Sequence, residues 1–146
     1  MSHRHLLLVT YHLPPSAASG SFRMLGFARH LPKFGWHVRA VAPPCLPWEP
    51  VDDRLFKQLP RQCVVHAVPY PQGRAVKLLR RFAPNGIWLP PAYRALRRIV
   101  AESRPDVVLT SGPPQCVHLL GLWLKRRYGM SWVADFRDPW VVGDRQ

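Results

Sequence analysis

HLLLVTYHLPPSAASGSFRMLGFARHLPKFGWHVRAVAPP, residues 5–44, is the stretch that decides the fold. It opens with a short, nearly continuous apolar run from His5 to Thr10, the pattern of a strand buried on both faces. The segment Tyr11 to Gly20, punctuated by Pro14-Pro15, then reads as a loop. From Ser21 onward Phe22, Leu25, Ala28 and Leu31 recur at three-residue spacing, which predicts an amphipathic helix with those side chains inward and Gly35 as its stop. His37 to Ala42 alternates like a strand and ends at Pro43-Pro44. Strand, helix and strand in this order make a β-α-β unit, whose crossover demands a parallel sheet.

Working outward, Cys63 to Val68 is a third expected strand, and the proline-rich stretch Pro43 to Pro60 suits a surface excursion. Gly73 to Trp88 is expected to hold a short basic surface helix with Val76, Leu79 and Phe82 on one face. Pro90-Pro91 opens a firmer helix, with Tyr93, Leu96, Val100 and Ser103 as its buried stripe and Arg94, Arg97 and Arg98 outside. Asp106 to Thr110 is a fourth strand, turned by Ser111-Gly112-Pro113-Pro114 into a helix carrying Val117, Leu120, Leu124 and Tyr128 before Gly129. Ser131 to Asp135 is a fifth. The expected fold class is α/β: one Rossmann-like open parallel sheet over residues 1–146, with helices on both faces. The sequence stops soon after the fifth strand tip, so the sheet is expected to be incomplete at its carboxyl end.

A chain of 146 residues, 47% hydrophobic and 20% charged, has the composition of one globular domain. Its net charge of +13 points to a polyanionic partner or to a solvated basic surface. From Arg74 to Arg127 eleven Lys and Arg face only Glu102 and Asp106, a net +9 of that charge. Basic amphipathic helices of this kind can lie on anionic lipid. Cys45, Cys63 and Cys116 form no C-x-x-C pair, which argues against a disulfide framework and against a zinc site. The opening apolar run is too short for a signal peptide core or a membrane span, so the expected location is cytoplasmic, with membrane contact at most peripheral at the inner face.

Ligands of open parallel sheets gather at the carboxyl ends of the strands. Three loops leave such ends here, Thr10 to Gly20, Thr110 to Pro114 and Asp135 to Trp140, and each carries polar or glycine residues that a plain turn does not require.

Taken in order, LLLVTYHLPPSAASGSFRMLGFARHLPKFGWHVRAVAP, PDVVLTSGPPQCVHLLGLWLKRRYG and WVADFRDPW resemble the acceptor-side, amino-terminal domain of glycosyltransferase family 4 enzymes. WVADFRDPW is the most specific piece, the S-G-P-P turn with His118 is next, and the Pro-Pro ahead of Gly20 and Arg23 supports both. Residues 44–91 resemble nothing in particular. The resemblance implies half of a GT-B architecture, in which two Rossmann-like domains face each other across a cleft and the carboxy-terminal one holds the nucleotide-sugar. It also implies sugar transfer with retention and without a catalytic metal, and no D-x-D occurs in the sequence. No cofactor is expected, the nucleotide-sugar being a co-substrate; the acceptor is expected to be a glycan or lipid-linked.

On that basis Asp135 and Asp138 are candidate catalytic carboxylates, placed to orient or activate an acceptor hydroxyl. Arg137 is a candidate to hold a phosphate or the neighbouring carboxylate. Gly20, read as lying just ahead of the first helix, would let the backbone approach the donor phosphate. Arg23, Ser111, Gly112 and His118 complete the expected substrate-binding set. For each, a structural role stands beside the functional one: a turn for Gly20, an internal ion pair for the Asp and Arg residues, a satisfied core histidine for His118. The alternative function is a non-catalytic basic module binding nucleotides or nucleic acid. Against it, G-x-G-x-x-G, Walker A and aromatic RNA-binding signatures are all missing, and nucleic acid is the less expected partner. The fragment is expected to lack turnover by itself.

Overall fold

The computed structural model describes residues 4–45, 49–79 and 81–137. Five strands form one sheet, β1 (Arg4–Thr10), β2 (Trp36–Ala42), β3 (Val64–Ala67), β4 (Val107–Gly112) and β5 (Ser131–Phe136), in the order β3-β2-β1-β4-β5. All neighbours are parallel. The helices are α1 (Ser19–His30), α2 (Asp53–Lys57), α3 (Arg74–Leu79), α4 (Leu89–Glu102) and α5 (His118–Tyr128).

β1 is the centre because its apolar run satisfies both faces at once. Leu7 and Val9 pack with Leu96 and Val100 of α4 and Leu120 and Leu124 of α5. Leu6 and Leu8 pack with Met24 of α1 and with Val38 and Ala40 of β2 on the other face. Leu7, Leu8 and Val9 are wholly buried, each contributing about 1.5–3 kcal/mol of apolar transfer. The chain winds outward from β1 in both directions, so the loops after β1 and β4 leave on opposite faces. The gap between them is the topological switch point at which such sheets bind ligands.

Several expectations shift in detail. α1 begins two residues early, so Gly20 lies inside its first turn rather than ahead of it. Its buried face is Gly20, Ser21, Met24, Leu25 and Ala28, while Phe22 is 55% exposed. The three-residue spacing drifts off a 3.6-residue helix, and Met24 takes the inward position that Phe22 was assigned. In α3 and the turn after it Leu79 and Phe82 point outward, Phe82 being 81% exposed. A helix of 6 residues cannot present a continuous stripe to the sheet. Ser103 caps α4 with its side chain outside, accepting from Arg39, and Ile99 is buried in its place. Ser111 and Gly112 continue β4 instead of forming the turn, because they pair with Asp135 and Phe136 of β5. The excursion from Pro43 to Pro60 carries α2, capped by Asp52, and an antiparallel bridge from Val51 to Ser16.

Trp88, wholly buried, donates from Nε1 to the carbonyl of Val68 at 2.8 Å and packs on Tyr11. Tyr11 in turn donates its hydroxyl to the carbonyl of Asn85. This pairing ties the long connection before α4 down over the end of β1. Among the described residues no helix is long and apolar enough to cross a membrane.

Candidate functional site

The carboxyl ends of β1, β4 and β5 stand level, since Thr10 pairs with Ser111 and Ser111 with Asp135. Onto this ledge α1 and α5 direct their first turns. Asp135, next to last in β5, carries a carboxylate that accepts from Arg23 Nε at 2.9 Å and Arg23 Nη2 at 2.7 Å, a bidentate pair from α1. Ser111 Oγ donates to the same carboxylate at 2.8 Å. Three hydrogen bonds therefore engage Asp135, whose side chain is only 11% exposed, while Arg23 is half exposed. The pair bridges residues 112 apart in sequence.

Arg137, just past β5, donates from Nε to the carbonyl of Gly112 at 2.6 Å. Its guanidinium then lies against the first turn of α1, where a Cβ on Gly20 would sit 2.7 Å from Nη2 and 2.8 Å from Nη1. Gly20 is thus needed for close approach, but by an arginine of the same chain. Among the described residues no carboxylate pairs with Arg137. The first turn of α1 contains no acidic residue, and its N-cap, Ala18, offers no side-chain cap. A guanidinium beside uncapped helix amides is a doubly positive corner, which favours an anion between them.

His118 starts α5 with its ring buried against the same ledge. Nδ1 lies 2.8 Å from Thr110 Oγ1 and Nε2 3.0 Å from Gln115 Oε1, and the ring packs on Phe136 at a centroid distance of 4.1 Å. Burial pulls its pKa below the ordinary value, with the Asp135 carboxylate opposing. Gly112 leaves room for this cluster: a Cβ there would meet Gln115 Oε1 at 2.5 Å and His118 Nε2 at 3.2 Å. The pKa of His12, in the loop after β1, is likewise lowered by burial, which Glu49 opposes and Arg137 reinforces.

Of the sequence-predicted set, Gly20, Arg23, Ser111, Gly112, His118, Asp135 and Arg137 therefore meet at one end of the sheet. Asp138, with Pro139 and Trp140, lies outside the described residues. Sequence reasoning missed Thr110, Gln115, Trp132 and Gly121. Gly121 in the middle of a helical pattern was the available signal, because such a glycine weakens the helix unless something packs on it. Among the described residues no cluster of three or more His, Cys, Asp and Glu side chains could hold a metal ion.

The model of the glycosyl transferase 4-like domain matches residues 20–146, which takes in every one of these positions. The chain belongs to that family. Solved structures with the same fold include the glycotransferase of kitacinnamycin, at 20% identity and a TM-score of 0.52, and Phytolacca americana UGT2 complexed with UDP-2-fluoro-glucose and pterostilbene, at 18% and 0.53. Each alignment covers 93% of this chain and 31% of the other, so the chain spans about a third of the length of these two proteins. The carboxy-terminal domain of a Pyrococcus furiosus hydrogenase aligns at 16% identity with a TM-score of 0.59, over 91% of this chain and 90% of that one. At such identities the likeness speaks for the fold, which serves several chemistries. No curated protein matches the sequence.

Proposed function

We propose that this domain forms the acceptor-side wall of a retaining, metal-independent glycosyltransferase, moving a sugar from a nucleotide-sugar donor to a glycan or lipid-linked acceptor. The observation that carries the proposal is the anion seat at the switch point: the Arg137 guanidinium against the uncapped first turn of α1, with Gly20 giving it room. A donor diphosphate set there would receive backbone amides and a guanidinium together. Asp135, held by Arg23 and Ser111, acts as an orienting carboxylate for an acceptor hydroxyl, and Asp138 is the second candidate carboxylate. In a GT-B arrangement the donor's nucleotide is held by a second domain facing this wall. The described residues supply one sheet, and the 146 residues are expected to bind without turnover.

UDP serves as the probe for the seat. Calorimetric titration of the chain with UDP is expected to show salt-sensitive binding, and Arg137→Ala is expected to weaken it about tenfold to a hundredfold, one charge-assisted hydrogen bond. Absence of binding at millimolar UDP, or an unchanged affinity in the variant, would overturn the seat. Sugar transfer by the 146 residues alone would overturn the two-domain requirement.

A peripheral contact with anionic membrane, at the inner face in a cytoplasmic setting, is proposed on separate grounds. Leu78, Leu79 and Phe82 are exposed beside Arg74, Lys77 and Arg81, an apolar and basic surface together. Cosedimentation with vesicles containing phosphatidylglycerol, but not with purely zwitterionic ones, is the expected result. Equal binding to both would remove the electrostatic part.

A further inference from the structure

Beneath the charged ledge four side chains form a hydrogen-bonded line. Trp132 Nε1 donates to Thr110 Oγ1 at 2.9 Å, Thr110 Oγ1 lies 2.8 Å from His118 Nδ1, and His118 Nε2 lies 3.0 Å from Gln115 Oε1. Thr110 is wholly buried, so its hydroxyl has only these protein partners to satisfy it. An indole N–H can only donate, which makes Thr110 Oγ1 the acceptor on that side. The hydroxyl's own proton then needs an acceptor, and His118 Nδ1 is in place to be one. At the far side Gln115 Oε1 can only accept, so it calls for a proton on Nε2. Both ends of the line specify the same histidine tautomer.

We propose that Trp132 and Thr110 are positioning residues that lock His118 in the Nε2–H tautomer, so that it presents an N–H donor to a substrate oxygen at the carboxyl end of β4. The inference rests on reading that end of the sheet as the substrate cleft. Gln115 Oε1 occupies the position of the substrate oxygen, and a sugar hydroxyl or a phosphate oxygen has the chemistry to replace it. Two glycines make the line possible. A Cβ on Gly121 would fall 2.5 Å from Cδ1 and Cε2 of the Trp132 indole, so only glycine lets the ring cross α5 to reach Thr110. A Cβ on Gly112 would displace the Gln115 amide. Burial lowers the pKa of the imidazole, the direction that favours the uncharged ring a single-tautomer donor requires.

The test is a long-range nitrogen–proton correlation spectrum of the 146-residue chain carrying 15N-labelled histidine, with His118→Asn used to assign the signal. His118 is expected to show an unprotonated Nδ1 and a protonated Nε2. Thr110→Val is expected to move both nitrogens toward the average of two exchanging tautomers, and Thr110→Ser to restore the wild-type pattern. Trp132→Phe, which keeps a ring but loses the donor, is expected to shift them in the same direction as valine. A protonated Nδ1 or an averaged pattern in the wild-type chain would overturn the proposal, as would a Thr110→Val spectrum identical to wild type. If Thr110→Val loses its dispersed amide spectrum, the wild-type pattern and Trp132→Phe still decide the matter. The measurement uses no ligand, so its outcome is separate from whether the cleft binds UDP.

Discussion

Adding one methyl group at Gly121 sets two ordinary effects against each other. In an exposed helix Gly→Ala stabilises by about 1 kcal/mol through backbone entropy. Gly121, though, is buried in α5, and its ideal Cβ lies 2.5 Å from two carbons of the Trp132 indole. Those atoms need to retreat by about 1–1.5 Å to reach ordinary van der Waals contact of about 3.5–4.0 Å. A rigid ring cannot do so by a rotamer adjustment alone, and overpacking of this kind costs about 1–3 kcal/mol. The same retreat breaks the hydrogen bond from Trp132 to Thr110, worth about 1 kcal/mol. Gly121→Ala is therefore expected to lose about 1–3 kcal/mol in urea unfolding, a fall in Tm of roughly 2–4 °C for each kcal/mol at this chain length. Trp132→Val removes the ring, and in that background Gly121→Ala should become neutral or stabilising by about 1 kcal/mol. A single variant as stable as wild type, or equal effects of Gly121→Ala in both backgrounds, would refute the packing of Trp132 across α5.

Arg23→Gln removes the bidentate partner of Asp135, and because Arg23 is half exposed the expected loss is only about 0.5–1 kcal/mol, with strong non-additivity when combined with Asp135→Asn in a double-mutant cycle. His12, His66 and His118 all have folded-state pKa values lowered by burial from 6.5, so the unfolded chain takes up protons first. Stability is expected to be full above about pH 6.5 and to decline as the pH falls through the folded-state values, measurable as a falling urea midpoint between neutral and mildly acidic pH. Burial pushes the Cys63 thiol up to about 11, and Cys45 and Cys116 are raised as well. All three should alkylate slowly with iodoacetamide at pH 8 in the native chain and rapidly in urea.

How much was legible in advance differs between elements for physical reasons. β1 was plain because a strand buried on both faces leaves an uninterrupted apolar run, and α4 because fourteen residues give the helical period room to show. α3 was misread because apolar spacing signals a potential face and cannot say whether the sheet has room beneath it; Leu79 and Phe82 ended outside. Ser111 and Gly112 looked like turn residues, and only the neighbouring strand, pairing them with Asp135 and Phe136, extended β4 through them.

By itself the sequence determined a parallel α/β sheet and named the three loops at which ligands would gather, since both follow from local periodicity and from the crossover geometry of β-α-β units. The tertiary structure alone decided what those residues do to one another. It set Arg23 on Asp135 across the sheet, placed Arg137 rather than bare backbone against Gly20, and ran Trp132 over Gly121 to Thr110 and His118. Contacts of that kind depend on strand order and register, which bring together side chains that no spacing along the chain relates.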